Sequence, residues 1–454
     1  MPIWHFFIYV LAYACENVYD LYNMIAKTRT IVKKHDSTGA VQSTNFLDPE
    51  YIFLATANAR CPNFEIYIKE GDHVDLYQVI GIRHGAFFDQ PIHATVSGEY
   101  VGLEKHYHRN GKLTDFMKIK NDKKYTVHNS VKERNDDEIK KLSREQAMEI
   151  LKDNAMVGLG GSSFPTYVKF QTKDKIDLIL INGVECEPFI NADNNVMWEE
   201  EDKLTKGMEY LCDIFECSRC VLCVKKMKKT LIKHYEEVFA SHPRLEIKGI
   251  GNFYPQGWEV AMIKSATGIE LKPGELPTKR GIIDFNVTSV VGIYTALKEN
   301  KPIIIRDITV SGDGIRNPQN FKVRVGTPVK EIIEKCGGYL NEELPKVFIL
   351  GGPMMGASLP NDDCIATKTV TSIIVLNEKN YKEEPCVRCG SCVLSCPTGL
   401  EPVQIMNAVK SLDKERIKYL NPSRCIECGL CTYSCTSKIK VLDYVRRAKL
   451  ISKL

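Results

Sequence analysis

The sequence predicts a multidomain α/β and β protein that ends in a helical dicluster ferredoxin. Three observations carry this reading. Two cysteine runs stand near the C-terminus, Cys386-x-x-Cys389-x-x-Cys392-x-x-x-Cys396-Pro397 and Cys425-x-x-Cys428-x-x-Cys431-x-x-x-Cys435. A glycine-rich loop, Val157-Gly-Leu-Gly-Gly-Ser-Ser-Phe-Pro-Thr166, leads into a mostly apolar run, Ile176 to Ile181. Short runs with strand-like alternation, separated by glycine turns, lie on both sides of that centre.

The cysteine runs have the ligand pattern of a pair of [4Fe–4S] clusters. Thiolate sulfur suits iron, and the close spacing lets three sulfurs of one turn grip one cluster. The fourth cysteine of each run ligates the partner cluster. The expected sets are Cys386, Cys389, Cys392 with Cys435, and Cys425, Cys428, Cys431 with Cys396. Zinc is the rival, but zinc runs seldom carry three evenly spaced cysteines and then a fourth, twice over. Val403 to Tyr419 has a helical pattern, which favours the helical form over the strand-rich small ferredoxin.

Composition bounds the rest. The 454 residues, 44% hydrophobic and 26% charged, suit a globular chain of several domains. A net charge of +4 points neither to nucleic acid nor to a strong membrane-surface field. Nine of the 17 cysteines lie outside the two runs. Without a good secretory signal, so many thiols point to a reducing cytoplasm. Ile3 to Cys15 is apolar and aromatic, but it is too short to span a bilayer and is followed by Glu16 and Asp20. It reads as a docked N-terminal helix, with a membrane anchor as the rival, and no transmembrane segment is expected.

Taken in order, residues 1–45 form an N-terminal segment of uncertain role. Residues 46–125 look all-β. Phe64-Glu-Ile-Tyr-Ile-Lys69 alternates as a strand and meets the turn Glu70-Gly-Asp72. "Ile-Lys-Glu-Gly-Asp-His-Val" and "His-Ala-Thr-Val-Ser-Gly" look like the two halves of a barrel-sandwich hybrid, and His93 reads as a turn residue. Residues 126–300 open with a charged stretch. Ser143 then caps a helix bearing Ala147, Ile150 and Leu151. Glycines in the loop that follows let backbone approach a phosphate or ring closely, although a plain turn would use them too. The Ile176–Ile181 run reads as a buried strand ending in Asn182-Gly-Val-Glu-Cys-Glu-Pro188, where α/β sheets place ligands. Residues 200 to 250 read as helix, strand, helix, strand. They include Cys212 and Cys217-x-x-Cys220-x-x-Cys223, readable as a third metal site or as buried thiols in a strand. Asn286-Val-Thr-Ser289 opens a helix to Lys298. Residues 301–379 give two strands, a helix and more strands, as in a β-grasp (SLBB-like) module with a Gly351-Gly-Pro-Met-Met-Gly356 turn. Residues 380–454 hold the cysteine runs and a basic amphipathic tail from Val441.

The ordered motifs together resemble the C subunit of the Rnf electron-transport complex. They are Gly158-Leu-Gly-Gly-x-x-Phe-Pro-Thr, Asn182-x-x-Glu-Cys-Glu-Pro, Tyr254-Pro-Gln-Gly, Gly274-Glu-Leu-Pro, Asn286-Val-x-Ser, Gly351-Gly-Pro-Met-Met-Gly and the two cysteine runs. The middle part is also similar to the flavin-bearing NADH-oxidising subunit of complex I. The resemblance implies a peripheral cytoplasmic subunit that takes hydride from NADH onto FMN and passes electrons to two [4Fe–4S] clusters. It implies membrane-embedded and ferredoxin-like partner subunits at the inner face of the cell membrane. By the same resemblance, Gly158, Gly160 and Gly161 line the FMN and NADH site, and Lys169 lies near the FMN phosphate. Asn182, Glu185 and Glu187 face the isoalloxazine and nicotinamide. Asn286 and Ser289 hold the phosphate end.

The loop departs from the family's Gly-Gly-Ala-Gly-Phe-Pro at Ser162 and Ser163. Ser163 replaces a glycine, which bears on NADH binding more than on FMN binding. Two other functions compete. One is an electron-transfer protein of the same type serving a soluble reductase such as proline reductase. The other is a cluster wire without NADH activity.

Overall fold

The computed structural model describes residues 42–379 and 381–453; the N-terminal stretch Ile3 to Cys15 lies outside them. Two compact units divide the described residues. One holds residues 42–252 and 256–378, the other 253–255 and the chain from Lys379 onward.

In the first unit the chain begins with a short strand, β1 (Thr44–Phe46), and then folds a β domain from β2 (Tyr51–Ala55), β3 (Asn63–Ile66), β4 (His73–Val74), β5 (Val79–His84), β6 (Asp89–His93), β7 (Gly98–Tyr107) and β8 (Leu113–Asn121). Strands β2 to β8 form two antiparallel sheets, ordered β2-β8-β7-β4 and β3-β5-β6. Ile52, Val74, Ile80, Ile92, Met117 and Ile119 fill the space between them. Gly98 lets β7 approach β8 closely: it has φ +152°, and a Cβ there would lie 1.9 Å from the Lys120 carbonyl oxygen. His93 ends strand β6 and is not a turn residue as the sequence suggested, because the β5–β6 pairing extends to it.

The α/β domain follows. Its helices are α1 (Asp136–Lys140), α2 (Arg144–Asp153), α3 (Thr166–Phe170), α4 (Ala192–Glu199), α5 (Glu201–Ile214), α6 (Lys229–Phe239), α7 (Glu259–Thr267) and α8 (Val287–Tyr294). The expected cap on α2 is present as a reciprocal box. The Ser143 hydroxyl accepts the Gln146 N–H (3.2 Å), and the Gln146 side chain accepts the Ser143 N–H (2.8 Å). Strands β9 (Leu178–Asn182), β10 (Cys220–Lys225), β11 (Leu245–Ile250) and β12 (Ile282–Asn286) form a parallel sheet ordered β11-β10-β9-β12. From β9 the chain steps outward to β10 and β11, then returns to the other side of β9 as β12. The boundary between β9 and β12 is therefore the switch point at which such sheets bind ligands. Helices α5, α6 and α8 bury Met208, Tyr235 and Val290 in the core that also holds Ile181 and Phe285. Met262 and Ile263 of α7 pack with Leu180 and Val221 in a separate core. The helix expected to run to Lys298 ends as α8 at Tyr294 and continues as a π-helical turn, Thr295–Glu299, closed by Asn300 at φ 51°.

Strands β13 (Ile305–Ser311), β14 (Gln319–Arg324), β15 (Lys346–Leu350), β16 (Ala357–Leu359) and β17 (Ser372–Asn377), with helix α9 (Val329–Lys335), build the β-grasp module. Its sheet runs β1-β14-β13-β17-β15-β16. Strand β1 straddles the 45/46 boundary and pairs parallel with β14.

The second unit contains α10 (Ser391–Leu394), α11 (Pro402–Lys410), α12 (Lys414–Tyr419), α13 (Leu430–Tyr433) and α14 (Val441–Ile451), with no strand among its described residues. The segment Val403 to Tyr419 is two helices, because Leu412 turns left-handed (φ 55°) and Asp413 caps α12 by accepting the Arg416 N–H. Each cysteine run repeats one backbone pattern. Arg388 and Glu427, and Gly390 and Gly429, all have positive φ, and each glycine starts a short helix that carries the third cysteine. Ile405 and Val409 of α11 pack against Val445 and Ala448 of α14.

Candidate functional site

Asn182 and Asn286 end β9 and β12 in register, so the switch point is flanked by two amides. Asn286 caps α8, accepting from the Thr288 and Ser289 N–H groups. Its amide nitrogen donates to the Asp193 carboxylate at 2.7 Å, and the Thr288 hydroxyl donates to the other oxygen at 2.7 Å. The Asp193 N–H in turn donates to Glu185 at 2.8 Å. Asp193 is the hub of this network. Burial, and then the Glu185 charge, push its carboxyl up to about 6. Asp193 has little signature in the sequence because it sits in an ordinary helical stretch. Its one signal is its place in the first turn after the Asn182–Pro188 segment.

The glycine loop closes over this network. A Cβ on Gly160 would lie 2.8 Å from the Asn286 side chain, so only glycine permits that approach. The Ser289 hydroxyl accepts the Leu159 N–H at 2.8 Å and so ties α8 to the loop. The Leu159 carbonyl accepts from the fully buried Arg306 at 3.0 Å. Within the loop, Gly158 N–H donates to the Phe164 carbonyl at 2.7 Å, and Ser163 N–H to the Gly158 carbonyl at 3.1 Å. Gly161 has φ +98° and Ser163 φ 54°, so Ser163 occupies the left-handed conformation that a glycine would take.

The structure thus gathers Gly158, Gly160, Gly161, Asn182, Glu185, Asn286 and Ser289. Asn182 also donates to the Gly257 carbonyl at 2.9 Å. Lys169 lies beside β12, where its ammonium donates to the Asp284 carboxylate at 2.8 Å and to the Asp284 carbonyl at 2.6 Å. Glu187 takes a different direction. It accepts the Met354 N–H at 3.0 Å, and a Cβ on Gly352 would collide with it at 2.2 Å, so it joins the Gly351–Gly356 turn to this region. Glu185 has φ 42° and a carboxylate oxygen 3.8 Å from the Lys228 ammonium. Glycine backbone and the start of α8 at a switch point suit a planar ring with a phosphate tail.

In the second unit Cys386, Cys389, Cys392 and Cys435 line one cavity of about 410 Å³ together with Val403, Met406 and Val441. Cys396 lies close enough to Cys425, Cys428 and Cys431 to act on their thiols electrostatically. Among the described residues, no three His, Cys, Asp or Glu side chains converge on a single metal-ion position. Four thiols lining one cavity fit a cluster.

The remaining cysteine group divides: Cys212, Cys217 and Cys220 lie together, with a hydrogen bond between Cys212 and Cys220, and Cys223 lies apart. Cys212, Cys217 and Cys220 face the large core of the α/β domain, whereas Cys223 points to the opposite face of β10, into the α7 core. Burial pushes Cys223 up to about 12. Cys223 therefore cannot share a metal with Cys217 and Cys220, which stand with Cys212 as buried thiols.

The chain is similar to four family models. They are the RnfC barrel sandwich hybrid domain over residues 30–124, the Nuo51 FMN-binding domain over 151–295, the SLBB domain over 308–358 and the 4Fe-4S dicluster domain over 378–446. It is 34% identical over 389 residues to the C subunit of the proton-translocating ferredoxin:NAD(+) oxidoreductase complex of Clostridium ljungdahlii, covering 84% of each chain. It is 32% identical over 343 residues to the C subunit of the Na(+)-translocating ferredoxin:NAD(+) oxidoreductase complex of Acetobacterium woodii, covering 74% of this chain and 76% of that one. A chain of an NAD+-reducing [NiFe]-hydrogenase is similar at TM-score 0.47 and 14% identity over 69% of this chain, which spans 61% of that one. With the barrel-sandwich hybrid, flavin, SLBB and dicluster domains in this order, and with identity above 30% over most of the length of both relatives, the chain belongs to the RnfC family.

Proposed function

We propose that this chain is the NADH-oxidising, electron-transferring subunit of an Rnf-type complex. Bound FMN would accept a hydride from NADH and pass its electrons singly to two [4Fe–4S] clusters. The observation that carries this is the pairing of Asn182 and Asn286 at the switch point, under the Gly158–Gly161 loop, in a chain that also holds two four-thiol sets.

The chain's own residues bind and orient. Gly158, Gly160 and Gly161 give the ring and phosphate room to approach backbone. Asn182 stands at the ring position, and Asn286, held by Asp193 at the start of α8, shapes the phosphate end. Ser289 acts through Leu159, fixing the loop's position. Lys169 supplies positive charge for the phosphate end, with Asp284 holding it in place. Glu185 sits by the nicotinamide position with Asp193 and Lys228 as its supports, and Glu187 braces the site against the Gly351–Gly356 turn. Cys386, Cys389, Cys392 and Cys435 hold one cluster, and Cys396, Cys425, Cys428 and Cys431 the other.

The partners are membrane-embedded and ferredoxin-like subunits that hold the chain at the cytoplasmic face of the cell membrane. No helix among the described residues is long and apolar enough to cross a membrane. The test is flavin content. Anaerobically purified protein is expected to release about one FMN per chain on denaturation. Asn286→Ala should lose flavin and about 1 kcal/mol of stability through the lost cap. Wild-type protein with full clusters and no flavin would refute the reading.

A further inference from the structure

A second pocket, of about 290 Å³, lies among the barrel-sandwich strands, the turn of the glycine loop and Thr367–Thr369. That volume is at the lower end of the range for small-ligand sites. Arg60, Arg83, His93, His108, Arg109 and Lys368 line it, and its described lining includes no Asp or Glu. The groups that hold these cations are neutral. Arg83 donates twice to the Ala55 carbonyl, at 2.9 and 2.6 Å. Arg109 donates to the carbonyls of Thr369 (2.7 Å) and Gly161 (3.1 Å) and to the Ser163 hydroxyl (3.4 Å). Lys368 donates to the Ala155 carbonyl at 3.2 Å. His108 is 7% exposed, and its Nδ1 has no partner.

Such a set is costly as it stands. Like charges in a partly desolvated space raise one another's energy, and carbonyl dipoles offset only part of that. The local electrostatics point the same way. Burial, and then Arg83 and Arg306, push Lys368 down to about 7. Burial, Lys368 and Arg83 push His93 down to about 3. Burial and Arg109 push His108 down to about 4. An anion in the cavity would oppose each of these effects. Donors converging from β5, the turn after β7 and Thr367–Thr369 suit a tetrahedral oxyanion, and guanidinium forks match phosphate oxygens.

We propose that this cavity binds a phosphate group through Arg83, Arg109, Lys368 and His108. The group comes either free, as inorganic phosphate, or on a nicotinamide dinucleotide that reaches across Gly161 and Ser163. The dinucleotide source rests on the NADH reading above; the inorganic source does not.

The full chain with its cofactors, kept anaerobic, provides the test. At constant ionic strength, inorganic phosphate is expected to raise the thermal midpoint where chloride does not, and to slow acylation of the Lys368 amine read by mass spectrometry. Lys368→Gln should weaken phosphate binding about tenfold, the loss of one charged contact. If phosphate competes with NADH and the variant raises the KM for NADH with kcat retained, the dinucleotide is the source. If phosphate binds without competing, the source is inorganic. Absence of phosphate-specific stabilisation together with an unchanged KM for NADH in Lys368→Gln would overturn the proposal. Phosphate that stabilises the wild type without protecting Lys368 would overturn it as well, and that result needs no variant to fold. Flavin content and bleaching by NADH are read separately, so their failure would count against the NADH reading and not against the phosphate site.

Discussion

Glu259 and Asp284 share a hydrogen bond, with Lys169 beside them. Burial, and then Asp284, push Glu259 up from 4.5 to about 8. Burial alone would raise Asp284, but Lys169 and the Glu259 proton outweigh it and hold that carboxyl below its ordinary value. The folded chain therefore keeps a proton on Glu259 that the unfolded chain releases. The stability from that proton is fully present below pH 4.5 and declines as pH rises to about 8. Glu259→Gln should flatten this part of the stability profile, measured by urea unfolding at a series of pH values. An unchanged slope would contradict the assignment. Ser163 belongs to the same scale. It takes the left-handed conformation that favours glycine, with φ 54° and a bond to Gly158. A serine tolerates that conformation at a cost on the order of 1 kcal/mol.

At the scale of elements, β10 decides the fate of the extra cysteines. Residues alternate across a strand, so Cys220 and Cys223 face opposite sides of the sheet. Cys220→Ala and Cys223→Ala should leave iron per chain unchanged while lowering stability through lost packing; loss of iron in either variant would restore the third metal site. The strand itself was legible, since Val221-Leu-Cys-Val224 is apolar throughout. So were the α2 cap and the paired cysteine runs, where the chemistry is local in sequence. The adjacency of β9 and β12 was not legible, because strand neighbours far apart in sequence leave no local pattern. Asp193 escaped for the same reason, its partners Asn286 and Thr288 being supplied by that adjacency. The basic cavity escaped because Arg83, Arg109 and Lys368 are scattered surface-type residues until the β domain, the loop and the β-grasp module meet.

On the scale of the whole molecule, two units divide the chemistry. The first holds the switch-point site, and the second holds the eight thiols of the two runs. NADH gives electrons in pairs and a cluster takes one at a time, so a chain with both sites has a use for flavin as the intermediate carrier. Loading of the two thiol sets should give about eight irons per chain. Cys428→Ala should remove about half of them and leave flavin in place, measured by iron and flavin assay of the same sample. The most direct measurement adds NADH to the anaerobic full chain and follows flavin and cluster absorbance together. Bleaching of both is the predicted result. Full occupancy of FMN and clusters with neither bleached by NADH would contradict the account.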